Sequence, residues 1–515
     1  MTARVLDPRG AACGGPRLHA LAPPRLHAFK PSSLAILAAL AGLVACRPAG
    51  PAYERPAAVT SAKWETPAPW RPSDPKDAIA RGEWWKVFHD EALNDLEAKV
   101  NISNQNLTAA EARYEQAKAL AAVAFAGRYP VVSASPQIDR ERLSGNRPNS
   151  PTRGTAQTES DFVVPFTASY EVDLFGKRHR SLEAAAASLQ ASAADLETAR
   201  LGLDAEMARD YFSLVEVDAE IDVLDHAVQA LERGLQLVVA RRDGGLASGL
   251  DVAQEETLLN ATRTQATLVR RDRFTFEHAI ADLAGQSAAD FHLPAKPLVA
   301  EPPAVDIGLP SDVLERRPDI AEREREMAAA NAGIGVALTA YFPSVTLFGG
   351  GGWESTALGS IFSAASTLWS IGAAATQQIF NGGATAAGVH LAQAQYNEAV
   401  ANYRESVLNA FHEVEDAISG LGVLHDARAS QTAAVDAAQR ALDIATTRYQ
   451  GGLASYLDVV SAQGSLFDAQ LLSVQIRGQE LVTSVGLVTA LGGGWDAASL
   501  AAIKAVPPKP AAKTS

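Results

Sequence analysis

The chain has 515 residues and a formal net charge of −14, from 45 basic and 59 acidic side chains. It is 47% hydrophobic but only 6% aromatic; the difference is largely alanine, which suits close helix packing better than a bulky globular core. No basic stripe offsets the acidic excess, which argues against nucleic acid as a partner.

Residues 1–45 read as a lipoprotein signal peptide. Arg4, Arg9, Arg17, Arg25 and Lys30 supply positive charge, and the apolar run at residues 34–44 is too short for a permanent membrane helix. The run ends in "LVAC", and Leu43, Val44, Ala45 and Cys46 resemble the bacterial lipobox, whose cysteine is lipidated and becomes the mature N-terminus. Arg47 rather than Asp follows, an absence that resembles an outer-membrane address. A plain secretory signal with an incidental cysteine is the alternative. The charged stretch before Leu34 is long enough to allow a start downstream of Met1. Cleavage before Cys46 removes Cys13, so no thiol remains for a disulfide, a zinc site or a redox motif. It also removes five basic residues and Asp7, taking the formal charge from −14 to −18.

Residues 46–92 form a proline-rich segment expected to run extended over a surface. "WWKVFHDEALNDLEAKVNISNQNL" then brings bulky anchors and a helical pattern from about Leu93, the start of a first structural repeat at 93–285. Strands are expected at about 131–140 and 162–174. In the second, Phe166, Ala168, Tyr170 and Val172 alternate with Thr167, Ser169, Glu171 and Asp173. A polar, proline-containing loop at residues 143–160 separates the two. Prolines are absent from 166–293 and again from 344–506, and each run holds a long helical segment, at 177–242 and 384–449, of roughly 100 Å at about 1.5 Å per residue. Leu214, Val217, Ile221, Leu224, Val228, Leu231, Leu235 and Val238 step by threes and fours, the seam of a supercoiled helix. Val435, Ala438, Leu442, Ala445 and Tyr449 repeat the rhythm with smaller residues.

Each long segment ends in a near-identical turn. "RRDGGLASGLDV" at 241–252 and "RYQGGLASYLDV" at 448–459 share nine of twelve residues at an offset of 207, which indicates internal duplication. Gly244, Gly245, Gly451 and Gly452 release the backbone to end a helix. Ser248 and Ser455 can cap the returning helix, with Asp251 and Asp458 in its first turn, where the helix dipole favours acid. Each stretch is thus the tip of a helical hairpin, with Leu246, Ala247, Leu453 and Ala454 apolar at an exposed end.

A linker at 286–312 leads to a second repeat at 313–494, with strands at about 344–352 and 366–380, and a flexible tail at 495–515. "FGGGGW" at 348–353 lacks the Lys and Ser/Thr of a phosphate loop and reads as a glycine loop where a strand turns. "HEVED" at 412–416 reads as a solvated helix face. No HExxH, no paired CxxC, no metal site and no nucleophile arrangement is present, so no catalytic residue and no cofactor beyond a lipid on Cys46 is expected. Four strands cannot close a barrel alone, since single-chain barrels start at about eight. Several chains would have to pool their strands, and their hairpins would pool into a tube below.

The chain resembles the TolC-like outer-membrane factors of efflux systems, in their NodT-type lipoprotein branch, from Cys46 to about Gly494. The carrying motifs are "GPAYERP", "WWKVFHDEALNDL", "NLTAAEARYEQA", "ERRPDIAERE", "AANAGIGVALTAYFPSVTL", "QIFNGG" and both tips. The resemblance implies a mainly α fold with a transmembrane β-barrel part: a homotrimer whose long coiled-coil helices form an α-barrel, with four strands per protomer in the membrane. It implies a lipid-anchored protein of the outer membrane projecting into the periplasm, docked through the two tips onto a periplasmic adaptor protein and an inner-membrane RND-type transporter. By the same resemblance Asp458 and Asp251 match positions that narrow the channel, and Tyr449 matches a tyrosine that holds the closed state. Ser461 stands where some members have a second acid, and Ala454 replaces an arginine of the closure network. The expected function is a passive exit channel for small molecules. A duct for type I protein secretion and a lipid-tethered structural coiled coil are the alternatives; alternating strands in both halves speak against the second.

Overall fold

Two long proline-free stretches rich in alanine have nothing to break them, and each folds as one continuous helix. The computed structural model describes residues 48–56, 82–146, 154–303, 316–495, 500 and 503. In chain order these include helices α1 (Glu91–Ser103), α2 (Gln105–Ala126), α3 (Lys177–Asp243), α4 (Gly249–Leu283), α5 (Pro318–Leu338), α6 (Ala384–Gln450) and α7 (Tyr456–Ala490). Strands are β1 (Val131–Ala134), β2 (Gln137–Leu143), β3 (Gln157–Val172), β4 (Ser344–Ser355) and β5 (Thr367–Thr376). The hairpins α3–α4 and α6–α7 are copies to the residue: all four helix boundaries of the first recur at the offset of 207 in the second. The expected seam is realised with a finer rhythm. Leu214, Val217, Leu224, Leu231 and Val238 are buried, while Ile221, Val228 and Leu235 between them are half-buried.

The equatorial core sits away from the tips. A short 3-10 turn at Trp84–Phe88 places Trp84, Trp85 and Phe88 against Leu93, Leu96 and Val100 of α1, Met207 and Phe212 of α3, Ile280 of α4 and Leu481 of α7. Between α1 and α2, Asn104 caps the second helix, accepting from the amides of Asn106 and Leu107 at 2.8 and 3.0 Å. The segment at 286–303 lacks regular structure yet is firmly held. Phe291 and Leu298 are buried, and Lys296 donates from Nζ to Asp90 Oδ1 at 2.9 Å and to the Tyr211 hydroxyl at 2.9 Å. Arg273 bridges Asp218 Oδ1 at 2.6 Å and the Leu293 carbonyl at 2.7 Å.

"GPAYERP" does run extended, as a strap across the helices. Arg180 of α3 is buried and donates to the carbonyls of Ala49, Gly50 and Pro51 at 3.0, 3.2 and 3.2 Å, and Arg55 donates to the Tyr403 hydroxyl at 3.1 Å. The expected signal peptide and Cys46 lie outside the described residues.

Four boundaries differ from expectation, each for a physical reason. The first strand is broken in two at residues 135 and 136, because Pro136 has no N–H to give the ladder, although both halves pair antiparallel with β3. β3 begins at Gln157 rather than near 162, since polar residues at a sheet's wet end pair as readily as apolar ones. "FGGGGW" is no turn. Gly349 to Gly352 lie inside β4, paired with β3 on one side and β5 on the other, and a Cβ at Gly352 would run into the Val164 carbonyl. The tail expected to be free from 495 is not free at Leu500, which is buried beside Ala193, Ala194 and Ala321. In "HEVED", His412 and Asp416 are exposed and paired at 3.2 Å, but Glu413 reaches buried Arg317 at 2.5 Å.

Candidate functional site

Both hairpin tips close by the same hydrogen bonds. Gly245 N donates to Arg242 O at 2.9 Å and Leu246 N to Arg241 O at 2.8 Å; Gly452 N donates to Tyr449 O at 3.0 Å and Leu453 N to Arg448 O at 2.8 Å. This pair of bonds ends a helix with one left-handed residue. Only the second glycine of each pair fills that role, Gly245 at φ 74° and Gly452 at φ 71°; Gly244 and Gly451 keep negative φ of −81° and −78°.

The returning helices are capped by the expected residues. Ser248 Oγ accepts from Asp251 N at 3.2 Å while Ser248 N donates to Asp251 Oδ2 at 2.9 Å. At the second tip Asp458 Oδ2 takes both the Ser455 amide at 3.0 Å and its hydroxyl at 3.1 Å. Asp458 is exposed and Asp251 half-buried. Leu246 and Leu453 are 72% and 74% exposed, whereas Ala247 and Ala454 tuck halfway in.

Behind the tips the hairpins meet over Val238, Val252, Tyr449, Tyr456 and Val459. The Tyr449 and Tyr456 rings lie 4.9 Å apart, and the Arg241 guanidinium sits over Tyr449 at 4.8 Å from the ring centre, an attractive arrangement. Tyr449 is thus brought to the interface between hairpins. Arg241 and Glu255, which the sequence reading did not single out, join it there. A positive charge next to a seam tyrosine, and an acid at a seam position, were the available signals.

At the other end lies the sheet, ordered β1–β3–β4–β5 with β2 also on β3. Paired residues share a face. One face carries the rows Ala134, Phe166, Gly351, Trp369 and Val132, Ala168, Gly349, Ile371, followed by Tyr170, Leu347, Ala373. The other carries Ser133, Thr167, Gly350, Ser370 and then Glu171, Thr346, with Val131, Phe348, Val163, Pro165, Leu368 and Ala374 as apolar members among them. Trp369 and Ile371 are 77% and 82% exposed. From the Trp353 row to the Leu347 row the band is about 20 Å tall at about 3.3 Å per residue. It has Phe166, Trp353 and Trp369 toward one rim and Tyr170 at the other, the arrangement of a lipid-facing band with aromatic girdles. Among the described residues no helix is long and apolar enough to cross a membrane.

A model of the outer membrane efflux protein family matches residues 98–286 and 309–493. The pyoverdine export outer membrane protein OpmQ of Pseudomonas aeruginosa is 32% identical over 434 residues, covering 83% of this chain and 91% of that one. The toluene efflux pump outer membrane protein TtgF of Pseudomonas putida is 33% identical over 457 residues, covering 87% and 94%. The solved structure of the outer-membrane channel OprN superposes with a TM-score of 0.82 at 29% identity, over 87% of this chain and 100% of that one.

Proposed function

The chain belongs to the outer membrane efflux protein family and is the outer-membrane exit channel of a tripartite efflux pump, and we propose that it works as a homotrimer. Three copies of the sheet would close one barrel, and the three pairs of hairpins would continue it as a helical tube through the periplasm. The observation that carries this reading is the sheet: an apolar face in register across β1, β3, β4 and β5, and two edges, β1 with β2 and β5, that have no partner strand among the described residues. An open edge cannot stand in hydrocarbon. A tethered coiled coil would need no such face.

The tips around Gly244, Gly245, Leu246, Ala247 and Ser248, and Gly451, Gly452, Leu453, Ala454 and Ser455, would dock a periplasmic adaptor protein, their exposed leucines meeting an apolar partner surface. An inner-membrane RND-type transporter would supply the energy. A lipid on Cys46 would anchor the chain to the outer membrane. Asp458 and Asp251 would line the narrow periplasmic end, with Tyr449 holding the closed state. Relatives named for pyoverdine export and toluene efflux favour small organic molecules as cargo. The test is accumulation of a fluorescent hydrophobic dye in wild type, a deletion strain and the complemented deletion. Higher accumulation in the deletion, reversed by complementation, is expected; equal accumulation in all three would leave a redundant channel, a narrow untested substrate such as a metal ion, or a secretion role.

A further inference from the structure

β4 follows α5 and β5 leads into α6, so the loop joining these two strands, residues 356–366, lies at the end of the sheet away from the helices. In the exit-channel reading that end faces the cell exterior. The loop carries no charge: between Glu354 and Glu398 the sequence has no Asp, Glu, Lys or Arg. By contrast, the β2–β3 connection at the same end carries Arg142, Arg147, Arg153 and Glu159 in its sequence. The two loops therefore suit different surroundings.

The polar groups of the β4–β5 loop are turned on one another. The Ser355 and Ser360 hydroxyls lie 2.8 Å apart, and both reach the Ala357 carbonyl, at 3.0 and 3.1 Å. Ser366 donates to the Ser360 carbonyl at 2.8 Å, and its hydroxyl oxygen lies 3.0 Å from that of Ser363. Two short 3-10 turns, Leu358–Ser360 and Ala364–Ser366, fold the backbone on itself. Ile361 is buried, but Leu358 and Phe362 stand 65% and 73% exposed. A loop made for water points its hydroxyls outward and its large apolar side chains inward. This one is reversed.

The position of Phe362 shows what the loop faces. Its ring meets Trp353 edge to face at 5.4 Å, and Trp353 in turn meets Phe166 at 6.5 Å. Both partners belong to the apolar rows of the sheet, at the rim of the lipid-facing band. The row of rings thus carries the aromatic girdle past the last paired residues and into the loop. It does so over β4, away from the open edge of β5 where another copy would join. We propose that the β4–β5 loop is a membrane-dipping collar, with Leu358 and Phe362 entering the acyl region of the outer leaflet. No charge has to be dehydrated there, and the serine hydroxyls take their hydrogen bonds with them. The collar rests on the exit-channel reading and adds a lipid-binding surface to it.

The experiment is tryptophan fluorescence of the purified full-length protein in phosphatidylcholine vesicles, with or without bromine high on the acyl chains. Wild type supplies the reference, because Trp353 and Trp369 on the apolar rows are quenched by brominated lipid if the sheet spans the membrane. In Phe362→Trp the added emission, taken as the difference from wild type, is expected to lose most of its intensity in brominated vesicles. Iodide on both sides of the vesicle is expected to leave it unchanged. Added emission that iodide quenches and bromine does not would put the loop in water or over the pore, and overturns the collar. Emission that neither quenches would mean that a neighbouring copy covers the loop, and overturns it equally. If Phe362→Trp does not assemble, Leu358→Trp is read in the same way. If wild-type emission is itself untouched by brominated lipid, the sheet is not in lipid, and the exit-channel reading fails together with the collar.

Discussion

A carboxylic acid out of reach of water must find a cation or keep its proton. Asp90 does the first: burial works against its charge, but hydrogen bonds from Lys296 and Tyr211 hold its carboxyl below the usual range. Glu97 and Asp204 do the second. They are 0% and 2% exposed, facing each other from α1 and α3, with Asn101 Nδ2 donating to Asp204 Oδ1 at 3.2 Å. Burial, then the neighbouring Asp204, pushes Glu97 up to about 10, so Glu97 keeps its proton. Because the folded chain holds this proton more tightly than the unfolded one, the contribution to stability is full below the unfolded value near 4.5 and is lost as pH rises toward 10. Each such proton adds at most about 1.4 kcal/mol per pH unit to the slope. Glu97→Gln removes this ionisation, so its melting temperature between pH 6 and 9 should fall less steeply than that of wild type. Parallel slopes would mean that the folded chain does not hold a proton on Glu97 in this window. Neither this pair nor Glu255 was legible beforehand, since an acid among helix polar residues looks the same whether its face meets water or another helix.

Hairpins were far more legible than strands, because they are written twice. The offset of 207 gives both tips, the caps at Ser248 and Ser455, and helix ends within a residue of those observed. Heptad spacing also marked which residues would be buried, and Leu231, at 0% exposure between α3 and α4, is its clearest case. Leu231→Ala should cost about 2–5 kcal/mol by transfer and cavity terms. In a hairpin this long the loss is local, so amide hydrogen exchange around residues 227–235 and 255–262 should quicken at least tenfold, each 1.4 kcal/mol being a factor of about ten. Unchanged exchange there would show that the seam does not hold these helices. Strand limits were harder to read. Glycines inside β4 mimic a turn, and the apolar alternation around Pro136 masked a break that follows from its missing N–H. The Arg273, Asp218 and Lys296 network joins positions 55 and 78 residues apart, and no local rule connects them.

At the scale of the whole molecule the decisive question is which face of the sheet meets lipid. Ile371 lies in the middle row of the apolar face, opposite Gly349, and Ser370 lies next to it on the polar face, opposite Gly350. The two residues are neighbours in sequence and both are exposed in the protomer, so an arginine at either would cost little in water. In a membrane their fates separate. An arginine on the lipid face near the bilayer midplane costs about 2–4 kcal/mol, while a lumen position is wet. Three symmetry-related copies would multiply that penalty in one barrel. Ile371→Arg should therefore be depleted from the outer-membrane fraction and fail to give a detergent-stable oligomer. Ser370→Arg should insert normally and, by placing one positive charge per protomer on the polar face, shift ion selectivity toward anions in bilayer recordings. Membrane fractionation of both variants with a single antibody makes the comparison. Equal insertion of the two would mean that the apolar rows do not face lipid, and the reversed result would turn the sheet inside out.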